Sequence, residues 1–292
     1  MYAIVISGSL RNLAETWPEN KKFFDTVGEP YEVYIHTWSA NYGTPRKVYK
    51  DRNWKGFVLD FRPRIYESQE IEVTQDLLLS IIPDAHIIIE EFDERLIVEK
   101  FKIPGRTETS LHQNFVNSVA MYQGISRGFR SALTSHPKGV ISNYVRLRTD
   151  FVITRSFDFS GFSGDMFFAG PGVDPGFGYV SDQFFICSRP VAEIIAESES
   201  ELFSRIMDIG WGADSNTPFY GERILSYILR EKRVRFLFQT EPIVGEIKRP
   251  GIVHDSSAQL LKHIFSLFNF NFRVMKDKTT RGLLLLISRF RR

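Results

Sequence analysis

The sequence is poor in cysteine: Cys187 is the only one among 292 residues. A single cysteine cannot form an intrachain disulfide, and this favours a reducing compartment. One thiol and scattered histidines cannot build a closed zinc site either. Because Cys187 ends the apolar run that starts at Phe184, we expect a buried strand residue rather than a nucleophile.

Long apolar runs and a strong net charge are also missing. The apolar run Leu283 to Ile287 is far shorter than the roughly 20 residues of a membrane-spanning helix. The N-terminus shows no basic segment followed by an apolar one, so no signal peptide is predicted. The formal net charge of +2 gives no reason to expect nucleic acid as a partner. We therefore expect a cytoplasmic protein.

Positive charge is concentrated at the C-terminus. Residues 271–292 carry seven Lys or Arg against one Asp, which leaves +6 in this segment and −4 in the rest of the chain. A basic amphipathic segment can lie on an anionic membrane surface. The alternative is a C-terminal helix that packs on the domain and leaves its basic end in solvent. We expect residues 251–292 to form a basic, apolar tail. If the tail lies on a membrane rather than packing on the domain, we expect it to associate with the inner face of the membrane.

The apolar pattern predicts an α/β fold. Strand 2–6, helix 12–26 and strand 31–36 follow one another as in the opening of a doubly wound sheet. Further strands are predicted at 85–89, 143–153, 165–169, 184–187 and 235–239, and further helices at 74–82, 115–133, 190–210 and from 217 onward. No repeat or linker divides the chain before the tail, so residues 1–250 are predicted to be one domain.

The most unusual predicted strand runs from Asn143 to Ile153. If this strand is regular, Arg146, Arg148 and Asp150 share one face, and a buried strand tolerates three charges there only when they are paired or bind something. Arg148 could bind a phosphate through two nitrogens, and Asp150 could hold Mg²⁺ or Mn²⁺ together with substrate phosphates. An internal Arg–Asp ion pair is the alternative.

Polar residues also follow the first two predicted strands. Ser7, Gly8 and Arg11 lie in a loop that could hold a nucleotide at the carboxyl edge of the sheet, although the loop matches no glycine-rich phosphate-binding motif. A tight strand-to-helix turn is the alternative. His36 and Thr37 end the second strand at the same edge, where they could contact a ribose or base. A hydrogen-bonded structural histidine is the other interpretation.

Two carboxylates are candidates for a general base. Asp182 precedes a very apolar strand and follows a glycine-rich loop, so it could take a proton from an acceptor hydroxyl. Glu222 lies in the first turns of a predicted helix, where the helix dipole favours an anion. An ordinary turn residue and a helix-stabilising charge are the respective alternatives.

Together, these segments resemble bacterial and viral glycosyltransferases of lipopolysaccharide or capsule synthesis, including the WavE-like proteins. The resemblance covers roughly residues 2–240 and is carried by Ile6 to Arg11, Tyr34 to Trp38, Met121-Tyr122, Val145 to Asp150, Ser181 to Phe185, and Pro218 to Glu222. It implies a GT-A-like nucleotide-sugar transferase with a Rossmann-type mixed sheet flanked by helices.

In this resemblance, Arg148-Thr149-Asp150 takes the place of the Asp-x-Asp motif that binds metal and diphosphate. The first acidic position of that motif is Arg148 here, so either a divalent cation on Asp150 or Arg148 itself would stabilise the departing diphosphate. Ser7, Arg11 and the His36 region would hold the nucleotide, and Asp182 or Glu222 would deprotonate a hydroxyl of a glycan or glycolipid acceptor. A fucosyltransferase-like enzyme and a catalytically silent sugar-binding module are the competing interpretations.

Overall fold

The structure is a computed structural model, and it describes only part of the chain. The described residues are 1–10, 12–39, 53–54, 57–58, 72–92, 109–154, 166–169, 180–199, 201, 221–238 and 245–247. All of them lie within the predicted domain 1–250. Arg11 and the predicted tail 251–292 lie outside the described residues, and so does the domain boundary between them.

The described residues contain helices whose ends follow from their sequences. Thr74 starts the second helix, because its hydroxyl accepts a hydrogen bond from the Leu77 N–H at 3.2 Å. Gly28 ends the first in the left-handed conformation, with φ of 76°. The helices are α1 (Leu13–Val27), α2 (Gln75–Ile81), α3 (Thr109–Ser135), α4 (Arg189–Glu197) and α5 (Gly221–Glu231).

The described strands form one large sheet and two small ones. In chain order they are β1 (Tyr2–Ser7), β2 (Tyr31–Trp38), β3 (Asn53–Trp54), β4 (Phe57–Val58), β5 (His86–Glu90), β6 (Asn143–Arg148), β7 (Phe151–Ile153), β8 (Met166–Ala169), β9 (Phe184–Ser188), β10 (Arg235–Phe238) and β11 (Gly245–Ile247). The main sheet has the order β10-β8-β9-β6-β1-β2-β5, while β11 pairs with β7 and β3 with β4.

The main sheet is mixed. Strands β1, β2, β5 and β6 are parallel, β8 is parallel to β10, and β9 lies antiparallel between β6 and β8. Strand β9 is therefore the one strand of this described sheet that runs against all the others. The sequence pattern does not reveal this reversal, because an apolar strand reads the same in either direction.

Two hydrophobic cores lie on opposite faces of the sheet. One contains Val5 and Tyr34 with buried residues of α3, α4 and α5. The other contains Ile4 and Ile35 with buried residues of α1 and α2. Side chains alternate between these cores along each strand, as the period of two requires. The predicted α/β class, a mixed sheet flanked by helices, is confirmed.

Candidate functional site

The strand order places a topological switch point between β1 and β6. From β1 the chain continues to β2 and β5 on one side, and it later returns to β6 on the other side of β1. In open α/β sheets, ligands bind outside the carboxyl ends of the strands at such a switch point. Strand β1 ends at Ser7 and β6 ends at Arg148, so the predicted Ser7 and Arg148 segments meet at this point.

Three of the predicted polar residues lie side by side across the sheet. Ser7 is the register partner of His36 on β2 and of Arg148 on β6. The sequence separates these residues widely, and the parallel pairing of three strands brings them into one row. Ser7 and His36 are fully buried, and the Arg148 side chain is 13% exposed. The hydroxyl Oγ of Ser7 has no hydrogen-bond partner among the described residues.

Gly8 follows Ser7 and leaves room at the end of β1. Its φ is 111°, a conformation that disfavours other residues. A Cβ at this position would meet no atom of the described residues within 4 Å. The backbone of Gly8 is held by its neighbours, because its N–H donates to the His36 carbonyl at 3.1 Å and its carbonyl accepts from Thr37 Oγ1 at 2.9 Å. Gly8 therefore adds no side chain after β1, and its backbone is fixed in position.

Arg148 is held between two carboxylates. Its Nε donates to Asp150 Oδ1 at 2.5 Å, and its Nη1 lies 3.2 Å from Asp182 Oδ2. Burial alone would lower the pKa of Arg148, but the charges of Asp182 and Asp150 outweigh burial and raise it. Its Nη2 is buried without a hydrogen-bond partner among the described residues. The two carboxylates thus fix the orientation of the guanidinium and favour its charged form.

The reversed strand β9 explains how Asp182 reaches Arg148. Asp182 lies just before Phe184, the first residue of β9, and the Arg148 N–H donates to the Gln183 carbonyl at 2.8 Å. Because β9 is antiparallel to β6, its start lies beside the end of β6. The side chain of Asp182 is only 4% exposed, so it supports Arg148 from below the surface.

Arg146 stabilises the same edge from inside the sheet. It is fully buried, and its Nη1 and Nη2 donate to the carbonyls of Leu147 at 2.6 Å and Ser7 at 2.9 Å. Arg146 therefore joins the ends of β1 and β6 directly. The sequence placed Arg146 and Arg148 on one face, and the strand register agrees, but Asp150 lies in the turn after the strand and folds back onto Arg148.

Helix α1 holds the turn between β6 and β7 in place, which the sequence did not predict. Thr16 Oγ1 donates to the Thr149 carbonyl at 2.8 Å, and Thr149 Oγ1 donates to the Ser9 carbonyl at 2.6 Å. Asn20 Nδ2 donates to the Phe151 carbonyl at 2.7 Å and its Oδ1 accepts from the Ile153 N–H at 2.8 Å. These buried bonds fix the backbone that carries Asp150.

His36 and Thr37 are buried beneath the edge rather than exposed on it. The Nε2 of His36 lies 3.2 Å from Glu90 Oε2, and Gly124 of α3 packs beside its Nδ1, which would be 3.4 Å from a Cβ placed at Gly124. Burial lowers the pKa of His36, and the neighbouring Glu90 only partly offsets this. Burial therefore disfavours the protonated form of His36, which supports the edge as an internal residue.

A second charged group adjoins His36 and was missed in the sequence. Arg127 of α3 pairs with Glu90 and also with Glu199, whose Oε1 accepts from Arg127 Nε at 3.0 Å and from Nη2 at 2.6 Å. These residues come from three segments that are distant in sequence, so no spacing in the sequence could have grouped them. Arg130, one helical turn further along α3, adds a contact of 3.4 Å to Glu199 Oε2.

The remaining predicted site residues receive less support. Glu222 lies in the first turn of α5, and its side chain lies outside the described part of the structure, as does all of Arg11. The described residues contain no group of three His, Cys, Asp or Glu side chains that could hold a metal ion. Asp150 is fully buried and paired with Arg148. A protein-bound Mg²⁺ ion usually keeps several bound water molecules, which a fully buried carboxylate leaves little room for.

Comparison of the sequence with protein-family models and with curated proteins finds no match. In the described parts of the chain, no helix is both long and apolar enough to cross a membrane.

Proposed function

We propose that the protein is a glycosyltransferase that moves a sugar from a nucleotide-sugar donor to a hydroxyl of a glycan or glycolipid. The observation that carries this proposal is Arg148 at the switch point of the sheet, fixed by Asp150 and Asp182 with Nη2 left without a described partner. A guanidinium held in this way suits an oxygen-rich anionic group such as a diphosphate. The mixed sheet also supports the GT-A-like layout that the sequence resemblance implies.

Gly8, which directly follows β1, supports the same proposal. Gly8 allows the diphosphate to approach the backbone, and next to it in the chain is the Ser7 hydroxyl, which has no hydrogen-bond partner among the described residues. The charges of Arg146 and Arg148 are balanced by those of Asp150 and Asp182, so a diphosphate needs further positive charge. Arg11, which follows Gly8 by three positions in the sequence, is the residue to which the proposal assigns that charge.

The reaction breaks the bond between the anomeric carbon and the diphosphate oxygen. The acceptor hydroxyl oxygen forms the new bond to that carbon, its proton passes to Asp182 or Glu222, and the nucleoside diphosphate leaves. Stabilisation of the charge on the leaving group is expected to be the largest contribution, because the donors are already fixed in place. Arg148 has this role in the proposal. In the described arrangement, Asp150 and Asp182 are both paired with Arg148 rather than placed to hold a metal ion. The test is therefore made with and without a divalent cation.

The direct test is binding and release of nucleotide. Calorimetric titration with UDP, GDP, CDP, ADP and dTDP, with and without Mn²⁺, identifies the nucleotide, and a matching panel of nucleotide sugars, GDP-fucose included, is then tested for release. We expect one nucleotide to bind and its sugar derivative to be turned over. Binding without release of any kind would favour a silent sugar-binding module. Absence of binding by every nucleotide would refute the proposal.

Asp150→Asn tests the site itself. The asparagine oxygen can still accept from Arg148, so we expect the fold to be retained. The negative charge that fixes Arg148, or that would hold a divalent cation, is lost, so the leaving group is stabilised less well and turnover should fall roughly 100-fold or more. Asp25→Asn is the matched control, because Asp25 is an exposed carboxylate on α1 that pairs with Lys21. Near-normal turnover of Asp150→Asn would contradict the assignment.

The basic tail leads us to propose that the acceptor is presented at an anionic membrane surface. The +6 charge of residues 271–292 supports this, because each basic residue near such a surface contributes about 1 kcal/mol. Co-sedimentation of the full chain with vesicles containing anionic phosphatidylserine should fall when salt is raised and be absent with neutral vesicles. Equal pelleting with both vesicle types would refute this part of the proposal.

A further inference from the structure

A groove of about 600 Å³ lies beside the edge strand β5, and its lining contains none of the residues to which the proposed function assigns a role. Its lining includes Glu90 at the carboxyl end of β5, Arg127 and Arg130 on α3, and Glu199 just beyond the end of α4. The volume is within the usual range for small-molecule sites. Helix α3 packs over β1 and β2, and the groove lies on its flank toward β5.

Among the described residues that line this groove, the charges cancel. Arg127 pairs with both Glu90 and Glu199, and Arg130 reaches Glu199 as well, so two guanidinium groups face two carboxylates. Burial by itself would raise the pKa of Glu90, but Arg127 and His36 outweigh it and lower this pKa, which keeps the carboxylate ionised. A groove with no net charge has no electrostatic preference for phosphate or for a cation.

The same groups supply both donors and acceptors of hydrogen bonds. Arg130 is 51% exposed and Glu90 is 34% exposed, so each retains polar atoms that face solvent. Ser131 and Thr134 add hydroxyl groups to the lining. From Arg127 to Thr134 the helix rises roughly 10 Å, so these groups form a row of useful length rather than a single point.

We propose that this groove binds a neutral polyhydroxylated chain, a short segment of a saccharide. A sugar hydroxyl both donates and accepts, and it bonds more strongly to charged partners than to neutral ones. Mixed charges held by their own ion pairs satisfy such hydroxyls without imposing a net charge on the ligand. The groove starts at Glu90, on the same sheet edge as Ser7 and Arg148, so a bound saccharide would extend along α3 from that edge.

The inference deepens the proposed function, since a glycan is the expected acceptor, but its test needs no nucleotide. Saturation-transfer NMR on the full chain would use maltotriose, lactose and mannobiose as neutral probes, with glucose 1-phosphate and inorganic phosphate as anionic probes. We expect saturable binding of at least one neutral saccharide that the groove variants described below weaken, whereas any binding of the anions should be unchanged in those variants. Binding of anions alone, or of no neutral probe, would overturn the inference and leave the nucleotide test unaffected.

Two variants locate the binding in the groove. Arg130→Met removes a half-exposed donor and should weaken saccharide binding about tenfold, while Ser131→Leu fills the groove without removing a charge and should abolish binding. Arg230→Met, at an exposed arginine in the last turn of α5, is the matched control and should bind normally. Circular dichroism and thermal unfolding verify that each variant is folded. Unchanged binding in both groove variants would also overturn the inference.

Discussion

Two glycines of α3 lie on the side that faces the strands of the site, and they differ in the space around them. A Cβ at Gly128 would lie 2.7 Å from Val5 Cγ1, whereas the nearest atom to a Cβ at Gly124 would be His36 Nδ1 at 3.4 Å. The first distance is a steric overlap with a side chain of the fully buried strand β1. The second is an ordinary contact. The same substitution to alanine should therefore be less favourable to stability at Gly128 than at Gly124.

The expected magnitudes follow from two contributions. Replacing a helical glycine by alanine stabilises a helix by about 0.8–1.0 kcal/mol, and this gain applies to both positions. Overpacking a core typically costs about 1–3 kcal/mol, and this cost applies to Gly128→Ala alone. The helix contribution cancels when the variants are compared, so Gly128→Ala should be less stable than Gly124→Ala by about 1–3 kcal/mol. Gly124→Ala should equal or exceed the wild-type protein in stability.

Thermal unfolding followed by circular dichroism provides the measurement. For a domain of this size, 1 kcal/mol corresponds to about 2–4 °C in Tm, so the two variants should differ by several degrees. The order of the two variants decides the outcome, because both carry the same chemical change in the same helix. If Gly128→Ala were as stable as Gly124→Ala, or more stable, the close approach of α3 to β1 would be wrong.

Three further predictions concern the support of the site and the ionisable groups. Asn20→Ala leaves the Phe151 carbonyl and the Ile153 N–H without their buried partner. The free energy of unfolding, measured in urea, should therefore fall by about 1–3 kcal/mol. The control Lys22→Ala, at an exposed position of the same helix, should leave it nearly unchanged. Burial would raise the pKa of Glu32, but hydrogen bonds from Tyr34 and His136 outweigh it and lower this pKa. The contribution of Glu32 to stability is therefore present above pH 4.5 and is lost as the pH falls through the folded-state pKa. Glu32→Gln should flatten the acid side of the curve of unfolding free energy against pH, and a variant curve parallel to that of the wild type would contradict this. Burial raises the pKa of the Cys187 thiol, so iodoacetamide at pH 8 should label the native protein far more slowly than the protein in urea, and equal rates would show that β9 is not buried.

Much of the fold follows from local patterns. The apolar periodicity from Phe115 to Leu133 predicts a helix that stops before Pro137, and α3 ends at Ser135. Strand β2 was predicted to end at His36 and continues to Trp38, because Thr37 and Trp38 remain buried at the sheet edge. Local sequence predicts the elements well, since the burial of each apolar face is encoded within the element itself.

The site depends instead on contacts that are distant in sequence. That Ser7, His36 and Arg148 form one row follows from parallel pairing, which the order of strands and helices suggests. The pair of Arg148 with Asp150 is the internal ion pair that the sequence offered as an alternative. The second partner, Asp182, could not be foreseen, because it joins Arg148 through the reversal of β9. The ion pairs of Arg127 with Glu90 and Glu199 have the same origin: each residue is an ordinary surface charge in its own segment, and only packing brings them together.

The reversal of β9 has a consequence for how this edge can change. Arg148 lies at the end of β6, and Asp182 lies just before the start of β9. The hydrogen-bonded pairing of these two antiparallel strands sets the distance between the two residues. Segments that precede Asp182 in the chain can therefore lengthen or shorten without altering its distance from Arg148, provided that the pairing is kept. Changes in those preceding segments can therefore alter which ligand binds at this edge, while Arg148 and Asp182 keep their separation.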